Sequence, residues 1–343
     1  MTTTISLSGG LTLAEMVRRE DPNGQTAQIV NVLNQRQEVL EDMTWAGCNN
    51  GTYHEATRRA FEPAGTHRGY NLGISPEAAG TEKVTEPTVM LNGLSVVDEA
   101  LLRHSPNGAA IRAAEDAMYM DGMVKTFLTR FFDGDRSADP LSIYGLNKRA
   151  DYNVLSSNYV YDNGGGNASA TANKSSLYMI QWGDGMVNMI YPRNDAQGGT
   201  MPVRSNDMGL DLVNDAKDAP GQYPGYRTWL ELHYGLFITD PRCVKRIANI
   251  STSNLANSDE FAFDEEVFFD MVKDMEYGGR GAVLYCNRLV WAQMQKRVNV
   301  KGNLVFTQDK ETGDGGFARP VKRINGIPVK IVDAIASNQA KVS

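Results

Sequence analysis

SPNGAAIRAAEDAMYMDGMVKTFLTRFFDG, residues 105–134, is the longest stretch of the sequence that reads as a single helix. Ser105 stands where a helix N-cap accepts a backbone N–H, and Pro106 stands at the first helical position, where its missing N–H costs little. From Asn107 to Phe132 there is no further Pro and only two Gly. Ile111, Ala114, Ala117 and Met118 begin an apolar stripe that Met120, Val124, Phe127, Leu128 and Phe131 continue. Met118, Met120 and Met123 read as core filling, because flexible thioethers fit irregular gaps. Gly134 supplies the stop. At the standard rise such a helix is roughly 40 Å long, enough to serve as a spine.

Toward the N-terminus the sequence weakens. Leu11–Glu20 suggests a short helix, ended by the turn Asp21-Pro22-Asn23-Gly24. A second helical stretch places Ile29, Leu33 and Leu40 near helical spacing. Short polar helices do not hold alone, so this arm is expected to lie on another surface. Residues 43–95 change character: Gly51–Phe61 and Val84–Leu91 are strand-like and flank a Gly/Pro-rich middle, Glu62–Gly80. So long a stretch with so few large aliphatic residues is out of place inside a compact domain. It reads as an extended two-stranded arm that a neighbouring molecule stabilises.

Toward the C-terminus, residues 140–250 mix strand and loop. Leu177–Trp182 and Val187–Tyr191 are strand candidates around a hairpin-like turn, Gly183-Asp184-Gly185. Asn163–Asn167 reads as a flexible loop and Met201–Gly225 as a second polar excursion. Arg227–Thr239 alternates as a strand does, with Trp229, Leu232, Tyr234 and Phe237. Further on, Asp264 is placed to cap a helix carrying Val267, Met271, Val272 and Met275, with Phe263 against Phe268 as a hydrophobic staple. Gly278-Gly279 ends that helix, Gly281–Cys286 is a short buried strand, and Asn287 caps Arg288–Arg297. Pro320–Ile324 and Ile327–Val332 form a hairpin around Asn325-Gly326. The mixture predicts an α+β domain.

Composition excludes several functions. The net charge of −7 does not suit a general nucleic-acid binder, which needs surplus Lys and Arg. The opening MTTTISLSGG lacks the basic and apolar regions of a signal peptide, and no run is long and apolar enough for a membrane helix. Cys48, Cys243 and Cys286 are odd in number and far apart, which fits buried free thiols. His54, His67, His104 and His233 have no partner at ligand spacing. Asp133-Gly134-Asp135 reads as a helix-ending turn, since the rest of a calcium loop is absent. Asp259, Glu260, Asp264, Glu265 and Glu266 suit a helix N-terminus better than a catalytic pair. Gly164-Gly165-Gly166 lacks the Lys and helix start of a phosphate cradle. No catalytic, cofactor-binding or metal-ligating residue is therefore assigned. Arg58, Arg59 and Arg68 form a sparse basic group in the arm, either solvated or facing an acidic neighbour.

Several segments, in order along nearly the whole chain, carry a resemblance. They include Thr44-Trp45, Cys48-Asn49-Asn50-Gly51-Thr52-Tyr53-His54, Glu115-Asp116, Tyr144-Gly145-Leu146 and Leu155-Ser156-Ser157. Gln181-Trp182-Gly183 and Ile190-Tyr191-Pro192 follow. Then come Gly235-Leu236-Phe237-Ile238-Thr239-Asp240-Pro241-Arg242 and Arg246-Ile247-Ala248-Asn249-Ile250. Asn325-Gly326-Ile327-Pro328-Val329 and Val332-Asp333-Ala334-Ile335 complete the set. Together these resemble the major capsid proteins of tailed bacteriophages, with the Hong Kong 97-type fold, closest to the branch in epsilon-type short-tailed phages. The resemblance implies an N-arm (1–42), an E-loop (43–95), a P-domain with the spine helix (96–139), a region that is mainly A-domain (140–310) and a C-terminal hairpin returning to the P-domain (311–343). It implies hexamers and pentamers of the chain in an icosahedral shell around double-stranded DNA, which is held by non-specific contact. A separate scaffolding protein, a portal and a decoration protein are the further partners, with assembly in the host cytoplasm and no enzymatic role. Lys83, the sole Lys in 43–95, has no motif that marks it for cross-linking. The alternatives are a bacterial nanocompartment shell, which shares the fold, and an α+β enzyme with a dispersed site.

Overall fold

The computed structural model describes residues 38–105, 107–164, 173–193, 202–214, 221–252, 262–301, 306–310 and 320–343. The two N-terminal helices, Pro106, most of the Asn163–Asn167 loop, Asp259 and Glu260 lie outside the described residues. The described chain forms two compact units. One comprises Met90–Leu128 and Pro202–His233, and the other Gln35–Val89, Thr129–Met201 and Tyr234–Ser343.

In the first unit, β4 (Val89–Asp98) leads into α1 (Glu99–His104), and Asp98 caps α1 by accepting the Ala100 N–H at 2.8 Å. The long helix α2 (Gly108–Asp133) follows. Its cap is not Ser105. That residue ends α1, its N–H bonding the Leu101 carbonyl, and its hydroxyl accepts the Asn107 N–H at 3.4 Å. The Asn107 carbonyl instead receives Ala110 and Ile111. The displacement has a steric cause: α1 sits so close that a Cβ at Gly108 would stand 2.6 Å from the Leu102 carbonyl oxygen, so only glycine starts the helix there. Ile111 packs with Val97, Leu101 and Leu102. Met123, Phe127 and Leu128 are buried, Met118, Met120 and Val124 only half so, and Ala117 is exposed, outside the expected stripe.

β8 (Val203–Asn214) pairs antiparallel with β9 (Gln222–Ile238), from Val203↔Leu232 to Asn214↔Gln222, with a bulge between Asp207 and Gly209. Most of the described part of the expected polar excursion is therefore strand. Thr228, Leu230 and Leu232 alternate inward, whereas Trp229, expected with them, lies half-buried on the opposite face.

The second unit centres on a sheet of order β12-β13-β14-β11-β6-β10-β5, with β12 (Phe306–Lys310) and β5 (Val160–Asp162) at its edges. β6 (Lys174–Gln181), β10 (Val244–Ser251) and β11 (Ala282–Cys286) are buried at every position. Leu177, Met179, Ile247 and Leu284 share a core with Phe268 and Met271 of α3 (Glu265–Lys273) and with Val290 and Met294 of α4 (Arg288–Lys301). Asp264 caps α3 through the Glu266 N–H, and Phe263 packs on Phe268 with ring centroids 6.3 Å apart. Asn287 accepts the Val290 N–H at 2.9 Å, which caps α4. β13 (Pro320–Ile324) and β14 (Ile327–Ile331) form the expected hairpin, and Asn325 and Gly326 both have positive φ, 51° and 78°, as its turn requires.

β6 and β7 (Val187–Tyr191) are strands, but they do not form a hairpin. β6 pairs with β10 and β11, while β7 pairs antiparallel with β9 and parallel with β1 (Trp45–Gly47). Gly183, at φ 149°, turns the chain away from one sheet and into another. Phe131 stacks on Trp182 at 6.0 Å and Phe132 lies 5.3 Å from the Tyr178 ring, which seats the end of α2 in this unit.

Candidate assembly surfaces

Among the described residues no three His, Cys, Asp or Glu side chains converge as a metal site. His54 lies against Phe237 (4.4 Å between centroids), His233 meets Glu231 at 2.6 Å, and His67 and His104 are exposed. Asp133-Gly134-Asp135 is the turn it was read to be. The Gly134 N–H bonds the Arg130 carbonyl, and Asp135 accepts the Ser137 N–H at 2.9 Å. Asp133 bonds Asn147, and burial pushes its carboxyl above the ordinary range. Asp264, Glu265 and Glu266 sit at the first turn of α3 and oppose no other carboxylate pair among the described residues.

What the chain does present is unmatched surface. β2 (Tyr53–Phe61) and β3 (Gly80–Pro87) pair from Tyr53↔Pro87 to Phe61↔Gly80, forming the two-stranded arm. Its base is anchored. Ala56 and Val84 pack on Cys48, Ile190 and Phe237. Glu86 meets Arg149 at 2.6 Å in a mostly buried pair, and Arg149 also donates to the Leu236 carbonyl at 3.0 Å. Its end is not anchored. Every residue from 61 to 79 is exposed, and Tyr70, Leu72 and Ile74 show 100%, 65% and 60% of their surface. Isolated exposed apolar residues are ordinary, but an alternating series on one loop marks a contact.

The basic group in the arm divides. Arg58 bonds Glu82 at 2.9 Å and Arg59 bonds Glu62, so both are answered within the chain. Arg68 has no partner among the described residues. Lys83 meets Glu55 at 2.7 Å in an exposed pair, not the desolvated setting that cross-linking chemistry needs.

A second surface lies in the first unit. Met208, Leu210 and Leu212 are exposed along β8. Asp211 is held by Arg227 at 2.7 Å, and Asp207 by Arg112, whose hydrogen bond draws that carboxyl below its usual range. Between α1, α2, β8 and β9 there is a cavity of about 720 Å³. The reading of 201–225 as loop concealed this surface. The alternation Met208-x-Leu210-x-Leu212 was the available signal, but Gly209 and the surrounding Asp and Asn residues read as turn chemistry.

The family model for Major capsid protein GP7 matches residues 21–343. A chain of the bacteriophage Epsilon15 structure is 28% identical, with 99% of each chain covered and a TM-score of 0.74. The bacteriophage JBD30 capsid is 10% identical at a TM-score of 0.46, covering 89% of this chain and 93% of its own. The SrpI encapsulin of Synechococcus elongatus is likewise 10% identical at 0.44, covering 73% and 98%. Similarity at those two levels does not separate a phage head from a nanocompartment; the family match does. No curated protein sequence matches this one. The chain belongs to the major capsid protein GP7 family, with the Hong Kong 97-type fold: it is a structural protein of the virion that associates with copies of itself into an icosahedral shell.

Proposed function

We propose that this shell is built of hexamers and pentamers of the chain and encloses double-stranded DNA, assembling in the host cytoplasm with a separate scaffolding protein, a portal and a decoration protein. In this reading 1–42 is the N-arm, 43–95 the E-loop, 96–139 the P-domain with its spine helix, 140–310 mainly the A-domain, and 311–343 a hairpin that returns to the P-domain. The observation that carries it is the arm β2–β3, tightly held at its base and bare at its end. A segment that its own chain leaves uncovered is completed by a neighbour, and in closed assemblies each copy completes the next. The acidic chain would hold DNA through local, sequence-independent contacts.

Replacing 62–79 by a two-residue Asn-Gly turn tests this directly. The shortened subunit keeps its thermal unfolding midpoint and fails to form shells by negative-stain electron microscopy, with or without a candidate scaffolding protein. Normal shells from that variant would overturn the assignment of the arm.

A further inference from the structure

We propose that the turn 278–281 and the β13–β14 hairpin form a phosphate-binding cleft, in which Arg280 and Arg323 hold the backbone of the enclosed double-stranded DNA. This rests on the DNA content proposed for the shell and names where an acidic chain touches it.

The charge of the chain is unevenly spread. Residues 280–330 hold ten Lys and Arg against three Asp and Glu, a net charge of +7. The whole chain has 34 against 41, so the remainder has 24 against 38, a net charge of −14. An asymmetry of this size along one chain marks a segment suited to a polyanion. Part of it is answered within the chain. Arg288 pairs with Asp333 at 2.6 Å, and Lys330 with Asp42 at 2.8 Å and Glu41 at 3.0 Å.

Arg280 is not answered. It is exposed, and its guanidinium has no partner among the described residues. It lines a cleft of about 480 Å³ together with Arg323, which donates to the Gly326 carbonyl at 3.4 Å and so lies against the hairpin turn. No Asp or Glu stands on the described lining. The carboxylate four residues before Arg280, Glu276, is held by Arg242 at 2.7 Å. The floor is bare backbone: Gly278 and Gly281 have no side chain, and the space before each is open. Two guanidinium groups beside open backbone suit a phosphate, because each planar fork directs two donors at its oxygens. Such contacts fix a duplex by its backbone and carry no sequence information, as a shell around any genome requires. The acidic remainder repels the same duplex, which confines contact to this face.

Arginine modification tests the site in the assembled particle. Phenylglyoxal, followed by peptide mass spectrometry, reads the reactivity of Arg280 in DNA-filled particles and in the same particles emptied of DNA. Arg280 should react at least about fivefold less in filled particles. Equal reactivity in both would overturn the site. Protection in both would overturn it as well, and would show a neighbouring copy or another protein covering the cleft. Particles that hold no DNA would overturn the proposed contents together with this site, whereas filled particles with a reactive Arg280 strike the site alone. Binding of a labelled duplex by the purified chain gives a second reading. Arg280→Gln should lower the slope of log affinity against log salt by about 0.9, and Arg280→Gln with Arg323→Gln by about 1.8, one phosphate for each arginine. Arg68→Gln should leave the slope unchanged. An unaltered slope in Arg280→Gln, from a chain that melts as the parent does, would overturn the proposal.

Discussion

The seven-stranded sheet and the β2–β3 arm treat the same backbone chemistry in opposite ways. In β6, β10 and β11 every residue is buried, including Lys174, Lys245 and Arg246, and the chain supplies their partners. Arg246 reaches Ser176 Oγ at 3.0 Å and the Tyr152 carbonyl at 2.7 Å. In the arm the base is packed and the last residues of each strand, with the loop between them, are bare. A sheet covered by its own chain stabilises the subunit. A ribbon left uncovered contributes little to the subunit and much to whatever it meets. Stability and assembly therefore reside in separable parts of one sequence.

That separation can be broken from either side. The largest effect belongs to the core: Phe268→Ala removes a ring at the centre of the α3 contact and should lower subunit stability by about 4 kcal/mol, seen in chemical unfolding, with shell yield falling only because folded subunits are fewer. Leu72→Ser, in the loop, should leave stability within about 0.5 kcal/mol while shell yield drops, since surface changes away from packed features are nearly neutral for folding. If Leu72→Ser destabilised the isolated subunit as Phe268→Ala does, the two regions would not be separable.

The smallest effect sharpens the boundary between them. His54, at the arm's base, is pressed on Phe237, and burial lowers its pKa below the ordinary 6.5. Its cross-strand neighbour Glu86 is occupied by Arg149. The unfolded chain then binds a proton before the folded one does, so the contribution of His54 is complete above about pH 6.5 and is lost as pH falls through the lower, folded value. Thermal melts between pH 7 and pH 5 should show a decline that is reduced in His54→Gln. An identical decline in the variant would remove His54 from the account.

Much of this was legible in residue order, for local reasons. Asp264 with Phe263 and Phe268, Asn287, and Asn325-Gly326 each specify a cap, a staple or a turn within a few residues, and each is found as read. The bare arm was legible too, because Glu62–Gly80 lacks the aliphatic residues a core requires. Most of the misreadings were decided by contacts beyond the local segment. Gly183-Asp184-Gly185 has the chemistry of a hairpin turn, but β6 finds its partners more than sixty residues later in β10 and β11. Ser105 is a good cap residue, yet α1 takes it as its own end, and Gly108 admits the close approach. β8 is a strand because β9 pairs along its whole length, against a local composition that favours turns. The cavity between α1, α2, β8 and β9 depends on four elements meeting and had no local signal at all.

Cys48, Cys243 and Cys286 are all buried and free, and burial pushes the thiols of Cys48 and Cys243 up to about 11. At neutral pH those two are overwhelmingly protonated and poor nucleophiles. A virion outside a cell meets dissolved oxygen and foreign disulfides, and a particle built of many copies multiplies any reactive sulfur by the copy number. This subunit exposes none among its described residues, so the shell should age without sulfur-borne cross-links or rearrangement.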